Sequence, residues 1–235
     1  KAPVVVFDDA DLEAAAEGIA MAGFFNAGQD CTAATRVIAA PRIYDDVVAA
    51  LAEQARSTVT THAVGVHHED ALLPAVNNAS QLEKVSGFIE RLPDHATIAV
   101  GGERMGEAGF HYAATVVSDL RQDDEIIQNE VFGPVLTLQT FATDDQAVAM
   151  ANGTDYGLGG VCYGETEHAT AIAQRVRTGF IWVNSFGIRD LAAPFGGIKR
   201  SGIGREGGDW SFEFFSDIKD VVVPKKPFKA SFSQR

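Results

Sequence analysis

The 235-residue chain reads as an α/β protein, a doubly wound and mostly parallel sheet with helices on both faces. Three observations predict it. Short apolar runs alternate with helix-like stretches along most of the chain. The runs are continuous, as in strands buried on both faces. Most connections are short, as in right-handed βαβ units.

The elements follow in order. Residues 3–7 (PVVVF) form the first strand. Asp9 or Asp11 then caps a helix over residues 12–25, with Glu13 well placed for the N-terminal dipole. Residues 36–40 form a strand stopped by Pro41, and residues 44–56 a helix with Val47, Leu51 and Ala55 on one stripe. Residues 60–78 read as irregular. They hold His62, His67, His68, Glu69 and Asp70, but the spacing matches no metal template, so no metal is assigned. Residues 80–92 form a helix with Leu82, Val85, Ile89 and Leu92 on its apolar face. Strands follow at 97–100, 112–117 and 135–141, then a helix at 144–152 with Gly153 suited to its end. A strand at 159–163 places Cys162 in the core. A helix at 167–177 and a strand at 179–183 complete the repeating pattern. Residues 184–208 are a long glycine-rich loop, 210–215 a short helix, and 221–223 a last strand before Pro224. The tail, 225–235, is basic and aromatic.

Hydrophobic content is 46% and the formal net charge is −13. That acidic balance argues against nucleic acid or an anionic membrane as partner. No apolar run is long enough to span a membrane, and no signal-peptide pattern is present. The two cysteines, in unlike contexts, make no disulfide framework, which fits a reducing cytoplasm. Lys1 leads at once into a strand, so the chain reads as a piece of something longer.

Cys31 sits just past a helix, in a short loop with Gly28. Such a mount suits a reactive thiol, provided a neighbouring group or dipole favours the thiolate. A buried structural cysteine is the other reading of the same spacing. Residues 202–207 spell G-x-G-x-x-G, but no strand feeds them, so they read as turn glycines rather than a dinucleotide loop.

The segment FFNAGQDCTAATR, residues 24–36, resembles the active-site cysteine segment of the aldehyde dehydrogenase superfamily. Three more segments follow in that family's order: EVFGP at 130–134, NGTDYG at 152–157 and PFGGIKRSG at 194–202. The four motifs together span almost the whole chain. The resemblance implies oxidation of an aldehyde to an acid with NAD or NADP, through a thiohemiacetal and a thioester on Cys31. It implies that Glu130 binds the nicotinamide ribose and that Phe132 packs near it. It places Phe195 on the substrate tunnel, with Phe25, Asp30 and Thr32 shaping the same tunnel. Asp30 departs from several branches, and its charge is expected to point away from the thiol.

The segment NSFGIRDL, 184–191, resembles the branch acting on muconate-type semialdehydes, where the arginine anchors a substrate carboxylate. That implies the same role for Arg189, whose planar fork matches a carboxylate; pairing with Asp190 or another loop acid is the alternative. NAGQDC also resembles aminobutyraldehyde enzymes, which leaves an aminoaldehyde or betaine-aldehyde substrate open. A non-enzymatic binding or oligomerisation domain of the same fold is the remaining alternative.

The family's general base, its second oxyanion donor and most of its cofactor domain are expected upstream of Lys1. Residues 1–218 are accordingly read as the catalytic domain, inactive as a dehydrogenase on its own. Residues 219–235 are read as a strand and tail that build a homo-oligomer.

Overall fold

The computed structural model describes residues 1–227 and contains the expected sheet. Its seven strands are β1 (Pro3–Val6), β2 (Arg36–Ala39), β3 (Thr97–Val100), β4 (Thr115–Ser118), β5 (Val135–Thr140), β6 (Val161–Tyr163) and β7 (Trp182–Val183). They run in the order β3-β4-β5-β2-β1-β6-β7, and β3 alone is antiparallel to its neighbour. The first strand written in the chain is therefore interior, with β2 on one side and β6 on the other.

Side chains of the central strands alternate between two cores, as the pleat requires. Val4, Val6, Val37, Ala39 and Tyr163 enter one core; Val5, Phe7, Ile38, Ala40 and Cys162 enter the other. Both faces are covered, which explains runs such as PVVVF that lack polar positions. Val4, Val5 and Val6 are all fully buried, each contributing about 1.5–3 kcal/mol of transfer free energy. Helices α1 (Leu12–Phe24), α2 (Tyr44–Ser57) and α4 (Ala79–Glu90) cover the first core. Helices α6 (Asp144–Asn152) and α7 (Thr166–Ala173) cover the second.

Local chemistry sets the boundaries. Asp11 Oδ1 accepts from Ala14 N at 3.1 Å and caps α1, whereas Asp9 Oδ1 accepts from Glu165 N at 3.0 Å across the fold. Asn78 caps α4 and Thr143 caps α6. Arg36 is fully buried in β2, and its two terminal nitrogens donate to Met150 O and Ala151 O at 2.8 Å. Lys199 Nζ adds bonds to Asn152 O at 2.9 Å and Thr154 O at 3.0 Å. Two cations thus meet the negative end of α6 and satisfy its last carbonyls. Burial pushes Arg36 down to about 10.

Several expectations need correction. Residues 60–78 contain a helical turn, α3 (Thr61–Val64), capped by Thr60 Oγ1. A second short helix, α5 (Glu125–Gln128), carried no sequence signal. The strand expected over 112–117 starts at Thr115, and the one over 179–183 shrinks to two residues, because Gly179 N turns back to Gly157 O and Leu158 O. Residues 210–215 form the expected helix, α8 (Trp210–Phe215). Residues 221–223 form no strand. Val221, Val222 and Val223 are 70–80% exposed, and a strand forms only where another offers its backbone groups. Residues 228–235 of the tail lie outside the described residues.

Candidate active site around Cys31

The site is built where α1 runs out. Residues Phe25–Gly28 form one 3-10 turn in which Asn26 and Ala27 take left-handed φ values of 52° and 56°. Asn26 suits that conformation and bonds Gln29 O through Nδ2 at 3.0 Å. Gly28 follows at φ 67°, and a Cβ there would stand 2.1 Å from Gly133 O. Only glycine lets this turn lie against the EVFGP segment.

Asp30 then forms a tight side-chain turn. Its Oδ1 accepts from both the backbone N and the Oγ1 of Thr32 at 2.6 Å. Cys31 stands at the apex, exposed, while Cys162 is fully buried in β6. Asp30 does not turn away from the site as expected, because Thr32 draws its carboxylate inward.

The electrostatics do not favour the thiolate. Partial burial pushes the Cys31 thiol up most, the Asp30 carboxylate pushes it further, the residue's own backbone opposes them, and Glu130 adds a lesser upward push. On balance the groups in this chain disfavour the thiolate relative to a free cysteine. A dipole-activated thiolate is not what this loop supplies. Burial raises Cys162 to about 12.

Cys31 lines two cavities. One, of about 630 Å³, holds Phe25, Asp30, Thr32, Trp182, Phe186, Arg189 and Phe195 among its lining. The other, of about 220 Å³, holds Lys1, Glu130, Tyr156 and Arg200. The expected substrate residues thus gather in the first cavity and Glu130 in the second, with the sulfur shared. Phe132 lines neither; its carbonyl accepts from Gln81 Nε2 at 2.6 Å and its φ is 56°. The thiol lies at the amino ends of β1 and β2, not at the carboxyl-end crevice where open α/β sheets usually take ligands.

Sequence reading missed Trp182 and Phe186. Their rings meet at 4.8 Å, and Trp182 Nε1 donates to Ile188 O at 2.7 Å, which pins the loop carrying Arg189. Aromatic residues in and just after the strand expected at 179–183 were the available signal. Arg189 lies over the Phe195 ring, its Cζ 4.0 Å from the centroid, and Nη2 reaches Glu206 Oε1 at 3.3 Å. The arginine therefore lines the cavity and is also paired with a loop acid, Glu206 rather than Asp190. The glycines of 202–207 serve close packing: a Cβ on Gly207 would stand 2.3 Å from Ala193 O.

Among the described residues no group of three His, Cys, Asp or Glu side chains is placed to hold a metal. In the same span no helix is long and apolar enough to cross a membrane.

Comparison with known proteins places this architecture. The aldehyde dehydrogenase family profile matches residues 1–221. Betaine aldehyde dehydrogenase of Bacillus subtilis (strain 168) is 36% identical over 233 residues, covering 97% of this chain and 47% of that protein. The Cereibacter sphaeroides (strain ATCC 17029 / ATH 2.4.9) enzyme of the same name is 35% identical, covering 99% and 48%. Among solved structures, betaine aldehyde dehydrogenase from Staphylococcus aureus in complex with NAD+ superposes with a TM-score of 0.92 at 31% identity, covering 100% of this chain and 47% of that one. The NAD-dependent aldehyde dehydrogenase from Sinorhizobium meliloti gives 0.90 at 36%, covering 100% and 46%. The chain spans about half the length of the curated relatives it matches. Family profile, chain-long identity and superposition agree that this chain belongs to the aldehyde dehydrogenase family.

Proposed function

We propose that this chain is the catalytic half of an NAD(P)-dependent aldehyde dehydrogenase, with Cys31 as nucleophile. The observation that carries the reading is the position of Cys31 on the wall shared by two cavities. One is apolar enough to take a carbonyl compound; the other presents a carboxylate, Glu130, to an incoming polar group. Glu130 suits the hydroxyls of a nicotinamide ribose, and the small second cavity suits the nicotinamide end of NAD(P) rather than the whole cofactor. When bound, NAD(P) supplies the hydride acceptor that side chains lack.

The protein residues perform the rest. The Cys31 proton leaves to a base, and Sγ adds to the aldehyde carbon to give a thiohemiacetal oxyanion. Thr32 N is already taken by Asp30 Oδ1, so the backbone N–H of Cys31 itself is the donor in this loop for that oxyanion. After oxidation to the thioester, activated water releases the acid and restores the thiol.

For the substrate, Arg189 in the thiol's own cavity favours an aldehyde carrying a carboxylate. A cationic aldehyde is the second reading. It is favoured by the Asp30 carboxylate and the Trp182, Phe186 and Phe195 rings in the same cavity, and by the names of the relatives. The deciding experiment offers the complete enzyme NAD+ or NADP+ with matched carboxylate, neutral and trimethylammonium aldehydes. The highest kcat/KM on the carboxylate aldehyde supports the first reading; on the cation, the second; no NAD(P)H formation with any of them refutes the function.

The remaining parts of the reading concern the whole protein. Residues 1–218 are the catalytic domain, and by themselves reduce no NAD+. The exposed 219–227 stretch, with the tail beyond it, joins a second copy to form a homo-oligomer. Two unpaired thiols fit a reducing, cytoplasmic setting.

A further inference from the structure

We propose that Glu206 sets the charge the Cys31 cavity presents, by holding the Arg189 guanidinium against the Phe195 ring. The inference rests on the reading of this cavity as the aldehyde site and names what adjusts its preference.

Arg189 lines the cavity together with Cys31, and Glu206 does not. Glu206 lines a separate hollow of about 430 Å³, and Phe195 borders both spaces. The carboxylate therefore reaches the guanidinium from behind the ring. Its position is set by the backbone. Phe195 N donates to Glu206 O at 2.7 Å and Glu206 N to Phe195 O at 2.8 Å, so ring and carboxylate are carried on one two-residue ladder. The ring takes the flat face of the guanidinium at 4.0 Å. Glu206 takes one Nη2 donor at 3.3 Å. A guanidinium has five donors in a fixed plane, so two supports orient it and leave most of its fork for another acceptor.

The charge arithmetic gives the consequence. Asp30 contributes one negative charge to the cavity wall, Arg189 one positive, and Glu206 one negative behind it. With Glu206 in place the group sums to −1, and the positive charge that Arg189 offers a substrate carboxylate is partly offset. A substrate carboxylate meets a guanidinium that already gives one donor to Glu206 and keeps the rest of its fork for the newcomer. Without the Glu206 charge the group is neutral and the arginine is free to meet an anion. The pair is partly exposed, with side chains 39% and 57% accessible, so the effect is modest.

The test reads the cavity potential at Cys31 itself. In a Cys162→Ala background, modification rates are measured with an anionic reagent, 2-sulfonatoethyl methanethiosulfonate, and a cationic one, its 2-(trimethylammonium)ethyl counterpart. The same thiolate attacks both reagents and expels methanesulfinate from each, so their ratio cancels any change in thiol ionisation. Glu206→Gln is expected to raise the anion-to-cation ratio about two- to fivefold, the scale of an exposed ion pair. Glu206→Ala carries the same expectation and guards against a folding artefact, which circular dichroism reports. In an Arg189→Gln background the shift from Glu206→Gln is expected to shrink well below its size with Arg189 present, leaving only the small effect of the Glu206 charge itself. An unchanged ratio in both Glu206 variants overturns the proposal, and so does an undiminished shift without Arg189, which would make Glu206 a distant charge. The labelling uses neither aldehyde nor cofactor. An enzyme that oxidised no aldehyde would refute the proposed function and leave this result standing.

Discussion

Cys31 and Cys162 are the same side chain in opposite settings. Burial raises both thiols, and the one influence that favours a thiolate, the backbone at Cys31, does not outweigh it. What separates them is geometry. Cys162 sits mid-strand with its side chain in the second core, fully enclosed. Cys31 stands at the apex of a side-chain turn, after two left-handed residues have broken the helix. Cys31 is accessible and adjoins two cavities, and Cys162 is enclosed and adjoins neither.

The largest expected effect removes the difference. On the proposed function, Cys31→Ala in the complete enzyme is expected to lower kcat/KM by at least about 10³-fold, because the thioester would form on that thiol. Cys162→Ala is expected to leave turnover within a few-fold and to cost about 1 kcal/mol of stability by opening a small cavity. A steady-state assay and thermal unfolding read the two. Loss of turnover in Cys162→Ala alone would reverse the assignment. Iodoacetamide mapping gives an independent reading, with Cys31 expected to label first.

Arg189 sharpens the comparison from the cavity side. Arg189→Ala is expected to cost a carboxylate aldehyde about 1.5–3 kcal/mol in kcat/KM, roughly ten- to a hundred-fold, with little change for a neutral aldehyde of similar length. Equal losses on both would leave the arginine a structural role beside Phe195 and Glu206.

Gly28 tests the turn that exposes the thiol. Gly28→Ala is expected to destabilise the fold by about 1–3 kcal/mol, because a Cβ meets backbone that cannot rotate away and the positive φ adds strain. Denaturant titration measures it, and a neutral result would mean the turn and the EVFGP segment can part freely.

The smallest effect is electrostatic. Asp30 opposes the Cys31 thiolate, so Asp30→Asn is expected to move the pH profile of Cys31 alkylation to lower pH, with the turn retained by the asparagine oxygen. A shift to higher pH would show that the carboxylate serves as the proton acceptor instead.

How much of this was legible beforehand varies by element. PVVVF reads as a central strand because a segment buried on both faces has no polar position to spare, and residues 44–56 read as a helix from one stripe. The motif that singled out Cys31 and the residues named with it, Phe25, Asp30, Thr32, Arg189 and Phe195, all fall on one cavity wall. Trp182 and Phe186 were not legible, because aromatic residues at a strand end look like core until the loop beside them is placed.

What the chain's own pattern determined was local: periodicities, caps, the alternating order of strands and helices, and one thiol in a glycine loop. These rest on interactions among near neighbours, which a linear reading contains. The tertiary structure decided the rest. It put Arg36 of β2 against the end of α6, more than a hundred residues away, and drew Asp30 toward Thr32 instead of outward. It left residues 221–223 without a strand and turned Glu206, not Asp190, onto Arg189. Each outcome depends on which distant groups arrive alongside, because a buried charge, a strand edge or a guanidinium is settled only by the partner that reaches it.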